Sequence, residues 1–374
     1  MSSLFEPFTL KGITLRNRIV AAPMCMYAVK DGVIGEWHKA HLAQLAAGGA
    51  ALITVEATAV SPEGRITWGD TGLWNDQQAE AFRPAVAAIK AAGAVAGIQI
   101  GHAGRKASAN RPWEGDDQIA DEQPNGWATI GPSPIAFGGQ KSWKVPSAMS
   151  ITDIARVQDD FVKAAQRALN AGFEWLELHF AHGFLAHSFL SPHSNHRKDI
   201  YGGTFANRAR FILETFSAVR EVWPDEFPLS ARLGVVEYDG RDEETLAESI
   251  ELIKLLKQAG IDFVSVSVGF SVPEATIPWS APAFMAPVAK RIRQECDLPV
   301  ALAWGVGEPT VADEAIQHGH ADLIAVGRAL LANPRWPYAA AKSLGLDRAS
   351  WLTLPASYAF WLENFEVRTP DDAA

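Results

Sequence analysis

The stretch Glu174-Trp-Leu-Glu-Leu-His179-Phe-Ala-His182-Gly-Phe184-Leu185 joins an apolar segment to a loop of polar and aromatic side chains. Trp175 to Leu178 predicts a buried strand, and the helical segment before it ends at Ala171-Gly172, where glycine is a typical helix stop. Two imidazoles just beyond a strand can converge on one small polar atom. An isolated pair of this kind is more often two hydrogen-bonded loop histidines, so the rest of the chain decides its role.

Apolar runs of strand length alternate with helical segments along the whole chain. The expected strands lie at residues 19–23, 50–55, 95–100, 175–178, 229–233, 263–268, 299–303 and 323–326. The expected helices lie at residues 37–47, 76–92, 150–171, 205–222, 243–258, 287–295, 310–318 and 335–344. Strands buried on both faces and separated by helices indicate parallel βαβ units. Eight such units predict an α/β fold of the (β/α)8 TIM barrel type.

The segments outside this repeat are few, and we expect a single domain over residues 1–374. Residues 5–18 alternate around a Lys-Gly turn and predict an N-terminal hairpin that plugs one end of the barrel. Residues 101–150 form an extended loop after the third strand, of which 110–145 is expected to cover a pocket. Residues 183–204 predict a second irregular excursion, and residues 345–374 form a tail with an aromatic stretch.

A doubly wound sheet is the alternative fold. Its usual nucleotide-binding fingerprint has one near match, Gly305-Val-Gly307-Glu-Pro-Thr310, in which threonine stands where the last glycine belongs. The barrel is therefore favoured.

Composition narrows the classes of function. Of 374 residues, 48% are hydrophobic and 20% charged, as in soluble globular proteins, and the net charge of −10 argues against nucleic acid or an anionic membrane as partner. With Cys25 and Cys296 as the only cysteines, no disulfide framework is expected and a reducing compartment is favoured. We find no pattern typical of a secretory signal or a membrane-spanning segment, so a cytoplasmic protein is expected.

Glycines after the last two strands offer backbone N–H groups at the place where barrels commonly bind phosphate. Gly305, Gly307 and Gly327 stand there, and Arg328 follows. These glycines could also simply permit tight turns. Together with Gln99, which can recognise an imide edge, and Arg232, which can offset a negative ring nitrogen, they point to flavin mononucleotide.

Seven motifs spread over most of the chain carry a resemblance to a known family. They are Ala22-Pro-Met-Cys-Met-Tyr27, Val55-Glu-Ala-Thr-Ala-Val60, Gln99-Ile-Gly-His-Ala-Gly-Arg-Lys106, Glu177-Leu-His-Phe-Ala-His-Gly183, Ser191-Pro-His-Ser-Asn-His-Arg197, Tyr201-Gly-Gly and Val326-Gly-Arg328. With them the chain resembles the Old Yellow Enzyme ene-reductases, and it is most similar to the xenobiotic reductase branch of their thermophilic-like subgroup.

The resemblance implies an oxidoreductase that uses FMN and is reduced by NADPH or NADH. The implied FMN contacts are Pro23, Met24, Cys25, Ala57, Gln99, Arg232, Ala303, Trp304, Gly305, Gly327 and Arg328. His179 and His182 would bind the activating oxygen of a small-molecule enone, nitro compound or nitrate ester, in a pocket shaped by Tyr27, Trp304 and Trp361. The tail would lie near the active site and the subunit contact, which implies a homodimer or higher homo-oligomer.

The chemistry of the histidine pair agrees with that role. An α,β-unsaturated carbonyl accepts hydride more readily when donors stabilise the charge growing on its oxygen, and each well-placed donor contributes about 3 kcal/mol. Cys25 is expected to tune the flavin potential rather than act as a nucleophile, although a small buried hydrophobe is the alternative. Cys296 is expected to be structural.

One position departs from the family pattern. Relatives carry at the residue two after the second histidine the tyrosine that supplies the α-proton, and this chain has Phe184. Either water or Tyr27 replaces that donor, or the reaction with enones is slowed by up to about 10²–10⁴-fold. Nitro groups and nitrate esters need no α-carbon proton and would be affected less.

Two other classes compete with an active ene-reductase. A flavin-binding barrel with weak or lost activity would bind FMN but not be bleached by NAD(P)H. A metal-dependent barrel hydrolase is disfavoured, because the single His-x-His, at His318 and His320, precedes the last strand and no His-Glu-x-x-His occurs. We therefore predict no metal site.

Overall fold

Eight strands with buried side chains on both faces close into a parallel barrel, which confirms the predicted (β/α)8 fold. The computed structural model describes residues 2–115, 117–138 and 143–365. In chain order, β1 to β12 are Phe8–Leu10, Ile13–Leu15, Ile19–Ala21, Leu52–Ala59, Val95–Gly101, Ile130–Gly131, Ser147–Ala148, Trp175–Phe180, Leu229–Val236, Phe263–Val268, Val300–Leu302 and Leu323–Val326. The barrel order is β3-β4-β5-β8-β9-β10-β11-β12, with β12 pairing back to β3.

Helices follow the barrel strands as the alternating pattern predicts. In chain order, α1 to α12 are Glu36–Ala47, Asp76–Ala91, Ile151–Ala171, Leu185–Leu190, Phe205–Val222, Asp242–Gln258, Ala286–Cys296, Pro309–Gln317, Arg328–Ala332, Trp336–Ser343, Ala349–Thr353 and Ala356–Leu362. Their ends show the expected chemistry: Ser150 and Asp153 form a capping box at α3, and Gly172 ends that helix with φ of 96°. No described helix has both the length and the apolar character needed to cross a membrane.

The N-terminal hairpin closes the amino end of the barrel, as the sequence predicts. β1 and β2 pair antiparallel, and Leu15 is buried in a cluster with Leu52, Trp175 and Phe263. The Trp175 and Phe263 rings meet edge to face at 5.4 Å. This packing fills the end opposite the carboxyl ends of the strands and leaves the other end for the site.

Two segments differ from the sequence expectation. The prediction of an irregular excursion over 183–204 is wrong for Leu185–Leu190, which forms helix α4 with all six side chains buried. A short helix that is buried all round shows no amphipathic period, so the pattern missed it. The aromatic stretch of the tail forms the short helices α11 and α12, and residues 366–374 lie outside the described residues.

Candidate active site

Two adjoining cavities open where the barrel strands end. The first has a volume of about 520 Å³ and is lined by most of the predicted flavin contacts, namely Pro23, Met24, Arg232, Ala303, Trp304, Gly305, Gly327 and Arg328. The second has a volume of about 1150 Å³ and is lined by Tyr27, His182, Phe184 and Trp304. Because His182 and Trp304 line both cavities, a group bound in the first would lie beside a molecule bound in the second.

The first cavity has the features that FMN requires. The Arg232 guanidinium is buried and its Nε–H has no hydrogen-bond partner among the described residues, so it can face an electron-rich ring nitrogen. Arg328 is exposed at the cavity, and no described residue pairs with its guanidinium, which leaves it available to a phosphate. Gly305 has φ of 67°, and a Cβ there would lie 2.7 Å from the amide nitrogen of Ala283. The residues present therefore fit the flavin.

The second cavity has aromatic walls that the sequence analysis did not single out. Phe137 and Trp143 come from the loop after β5, with ring centroids 5.0 Å apart. Phe270 and Trp279 come from the segment after β10 and stack at 6.1 Å with an interplanar angle of 16°. These walls suit a planar apolar ligand. Residues of the predicted cover, 110–145, thus do contribute to this pocket, although 116 and 139–142 lie outside the described residues.

The structure brings His179, His182 and Phe184 together. The two imidazole centroids are 4.8 Å apart with an interplanar angle of 83°, and the Phe184 ring lies 4.9 Å from the His179 ring. His179 lies within β8, whereas His182 has a left-handed backbone with φ of 62°, which is uncommon for a residue other than glycine. His182 lines both cavities, whereas His179 lines neither and borders a small pocket that shares Phe184 with the second cavity.

Hydrogen bonds fix which nitrogen of each imidazole carries the proton. His179 Nδ1 accepts from the Ala181 N–H at 3.3 Å, so its proton is on Nε2. Ser267 Oγ accepts from Trp304 Nε1 at 3.1 Å and from Arg232 Nη2 at 3.4 Å. Because indole and guanidinium groups only donate, these contacts use both hydroxyl lone pairs. The Ser267 hydroxyl therefore donates to His182 Nε2 at 2.8 Å, and His182 carries its proton on Nδ1.

Both imidazoles are held neutral. Burial lowers the pKa of His179 and of His182 well below the usual histidine range, and the positive charges of Arg232 and Lys106 act in the same direction. A neutral imidazole has one N–H, and no described residue accepts from His179 Nε2 or His182 Nδ1. The pair thus offers two N–H donors, an arrangement that can bind a carbonyl oxygen or an oxyanion.

Comparison with known proteins adds an independent line of support. The model of the NADH:flavin oxidoreductase / NADH oxidase family matches residues 3–347. The chain belongs to this family. An NADPH dehydrogenase from Geobacillus thermodenitrificans is 41% identical over 345 residues, covering 92% of this chain and 95% of that protein.

Solved structures show the same relationship. Morphinone reductase superposes with a TM-score of 0.78 at 27% identity, covering 98% of this chain and 98% of that chain. The old yellow enzyme homologue from Zymomonas mobilis superposes with a TM-score of 0.76 at 28% identity, covering 98% of this chain and 100% of that one. The predicted Old Yellow Enzyme relationship is confirmed, and the chain is an NAD(P)H:flavin oxidoreductase that uses FMN.

Cys25 and Ala57 are two of the three predicted flavin contacts of this flavin oxidoreductase that do not line the first cavity. They lie next to each other, because the Ala57 backbone N–H and the Tyr27 hydroxyl hydrogen-bond to the Cys25 thiol. Burial of the thiol and the nearby carboxylates of Asp70 and Glu56 nevertheless raise the pKa of Cys25 well above its usual range. Cys25 is therefore a neutral thiol, which supports a tuning role over a nucleophilic one.

Gln99, the third, lines neither the first nor the second cavity, and its contacts reveal a residue that the sequence analysis missed. Gln99 Nε2 donates to Glu177 Oε1 at 2.7 Å across the β5–β8 register. Burial raises the pKa of Glu177, while Arg232, Gln99 and Ser265 counteract the rise. Glu177 thus fixes the orientation of the Gln99 amide. The sequence did contain a signal for Glu177, because an acidic residue within a strand that is buried on both faces needs a specific partner.

Glu56 is a second carboxylate that the sequence analysis did not single out, and it contacts the segment that follows β3. Glu56 Oε1 lies 2.9 Å from His38 Nε2 of α1, and its other carboxylate oxygen accepts from the Met26 N–H. Both side chains are buried. This pair joins α1 and β4 to the backbone of Met26, in the segment that follows β3.

Trp361 is not brought to the site within one chain. It is 77% exposed on α12 and lines neither cavity, so its role in the pocket stays a prediction that concerns an oligomer. Among the described residues, no group of three or more His, Cys, Asp or Glu side chains is arranged to hold a metal ion. His318 and His320 lie beyond α8, before β12, away from both cavities.

Removal of the Ser267 hydroxyl is expected to weaken enone binding to the FMN-loaded enzyme by roughly tenfold. The reason is that His182 would no longer be held as the Nδ1–H form, and a lost hydrogen bond of this kind is worth about 1 kcal/mol or more. The measurement is the Kd of 2-cyclohexenone for Ser267→Ala, from the change in flavin absorbance.

Ser230→Ala is the matched control for that experiment. Ser230 Oγ accepts from Trp175 Nε1 at 3.0 Å, as Ser267 does from Trp304, but it lies at the amino end of β9. We expect a similar loss of stability and an unchanged Kd. Equal affinities of the two variants would contradict the tautomer assignment.

Proposed function

We propose that this enzyme reduces activated C=C bonds of α,β-unsaturated carbonyls, and also nitro compounds or nitrate esters, in the second cavity. The observation that carries the proposal is the pair of neutral imidazoles 4.8 Å apart, each with an N–H that no described residue accepts. The bound flavin supplies the hydride from N5. The chain supplies the oxygen site, the orientation of the ligand and the exclusion of water.

The His pair would bind the substrate oxygen and stabilise the negative charge that grows on it. His179 Nε2–H and His182 Nδ1–H are fixed in place by backbone and Ser267 contacts before any ligand arrives, so little reorganisation accompanies the reaction. Phe270, Trp279 and Trp304 would cover one side of the ligand. This wall would keep water from the reacting bond.

Position 184, where relatives carry the tyrosine that protonates the α-carbon, offers no proton donor in this chain. The Phe184 ring faces His179 at 4.9 Å and has no acidic hydrogen. Tyr27 lines the same cavity and, with water, is the remaining candidate. We infer that nitro compounds and nitrate esters, which take hydride without an α-carbon proton, are the better acceptors for this chain.

A homodimer is part of the proposal. Tyr358, Phe360, Trp361 and Phe365 are exposed near the end of the described chain, and exposed aromatic side chains in one segment mark interaction surfaces. A second copy of the chain would cover them and bring the tail to the pocket. Light scattering on the purified enzyme would show a dimer; a monomer at micromolar concentration would contradict this part.

The proposed activity is tested with the purified protein. We expect flavin absorbance bands with released FMN, bleaching of those bands by NADPH or NADH without oxygen, and recovery of the bands on adding a nitro compound. A protein that binds FMN but is not bleached by either nicotinamide would contradict the proposal.

Enone binding is expected to be independent of pH between about 5.5 and 8. The pKa values of His179 and His182 are lowered well below the usual ~6.5, so both stay neutral as the pH falls through that value. Titration of 2-cyclohexenone into the oxidised enzyme at each pH measures this. An inflection in Kd near pH 6.5 that disappears in His182→Ala would show an ordinary histidine and contradict the assignment.

A further inference from the structure

Lys106 contacts two segments that build the proposed oxygen site. It ends the short turn Gly104–Lys106 after β5. Its Nζ donates to the carbonyl oxygen of His182 at 2.9 Å and to that of Phe270 at 2.7 Å. One ammonium group therefore joins the loops that follow β5, β8 and β10.

Both carbonyl groups belong to residues with a strained backbone. His182 has φ of 62° and Phe270 has φ of 54°, and this left-handed conformation is strained in residues other than glycine. The surroundings must therefore hold these residues in place. A charged donor that bonds to both carbonyls does so more strongly than a neutral one.

Gly183 and Phe137 also lie close to the Lys106 ammonium. A Cβ at Gly183 would collide with the Phe270 carbonyl oxygen and would lie 3.0 Å from Lys106 Nζ. The Phe137 ring centroid lies 3.9 Å from the same ammonium. Lys106 thus lies against the His182 turn and itself lines the second cavity, next to Phe137.

The charge of Lys106 also acts on the imidazoles. It is one of the causes that lower the pKa of both His179 and His182, after burial and Arg232. The other groups that act on the pair are Arg232 and His187. Removing the ammonium would therefore loosen the His182 turn and make both imidazoles easier to protonate.

We propose that Lys106 is a positioning residue that fixes the His182 N–H donor toward the substrate oxygen. This inference rests on the proposed function of the His pair. It differs from the role of the adjacent Arg105, which donates to Ser271 O at 2.6 Å and to two carbonyls of the covering loop and makes no contact with the pair.

The test uses the FMN-loaded enzyme and 2-cyclohexenone, an uncharged probe for the oxygen site, so that loss of the ammonium charge does not by itself weaken binding. We expect Lys106→Met to bind the probe about tenfold more weakly than the parent, because the His182 N–H would no longer be held toward the probe oxygen and a lost hydrogen bond has an effect of about this size. FMN content should not change, since Lys106 does not line the first cavity. Lys106→Arg, which keeps the charge and the donors, should recover most of the affinity.

Lys257→Met is the matched control. Its Nζ donates to the carbonyls of Cys296 and Asp297 at 3.0 and 2.7 Å, and it lines neither cavity. We expect a lower melting temperature and unchanged probe affinity. If Lys106→Met does not accumulate as folded protein, Lys106→Gln replaces it with the same expected direction.

The outcomes separate the two proposals. Parent enzyme that holds FMN but does not bind the probe would overturn the proposed function and this inference with it. Parent enzyme that binds the probe, together with a folded Lys106→Met or Lys106→Gln variant of equal affinity, would overturn the positioning role alone. Loss of affinity that Lys106→Arg restores would establish it.

Discussion

Phe184→Tyr is expected to speed reoxidation of the reduced flavin by 2-cyclohexenone, by up to about 10²–10⁴-fold, the usual range for a general acid. Phe184 lines the second cavity beside His182, and its ring meets the His179 ring edge to face at 4.9 Å. A hydroxyl on this ring would bring a proton donor to the wall of the substrate pocket. Anaerobic stopped-flow absorbance, with the variant and the parent reduced to the same extent, measures the rate.

A nitro acceptor provides the control within the same pair of proteins. Its reduction needs no proton on an α-carbon, so the rate should change by less than the enone rate. Equal acceleration of both acceptors would point to a general change of the pocket. An unchanged enone rate would show that Tyr27 or water already supplies the proton. It would contradict the claim that Phe184 slows the reaction with enones.

His179→Ala and His182→Ala are each expected to lower the enone reoxidation rate by about 10²–10³-fold. Each variant removes one donor from the growing oxyanion, and such a donor is worth about 2.7–4 kcal/mol in a water-poor site. The two N–H groups lie on rings 4.8 Å apart and are oriented by different partners, the Ala181 N–H and the Ser267 hydroxyl. Stopped-flow rates together with the Kd of the enone measure the effect.

The double variant distinguishes a shared role from two separate ones. Donors that act on the same oxygen should be strongly non-additive, so the double variant should be little slower than either single variant. His320→Ala, outside both cavities, is the control and should match the parent. A loss below tenfold in both single variants would contradict the role of the pair.

The barrel could be predicted because strands that are buried on both faces leave a strong local signal. Trp175–Phe180 and Phe263–Val268 are buried along their whole length, as apolar runs between helices predict. Helix Leu185–Leu190 was missed because six buried residues are too few to show a helical period. Here the tertiary environment, not the local pattern, decides the structure.

The candidate site was predicted only where residue identity carries the chemistry. His179, His182, Arg232 and the glycines near Gly327 follow from motifs at strand ends. The partners around them were missed, because the contacts join residues far apart in sequence. Ser267 Oγ hydrogen-bonds to His182, and Lys106 Nζ donates to the Phe270 carbonyl oxygen. Ser267 did leave a signal, because a serine that alternates with valines in a wholly buried strand must face the barrel interior.

The measurement that most directly tests the account is a single turnover under anaerobic conditions. Enzyme reduced by one equivalent of NADPH is mixed with 2-cyclohexenone, and both flavin absorbance and cyclohexanone are followed. We predict one cyclohexanone per flavin reoxidised, at a rate that falls about 10²-fold or more in His179→Ala and His182→Ala. Flavin reoxidation at the parent rate in both variants would contradict the claim that this pair binds the substrate oxygen.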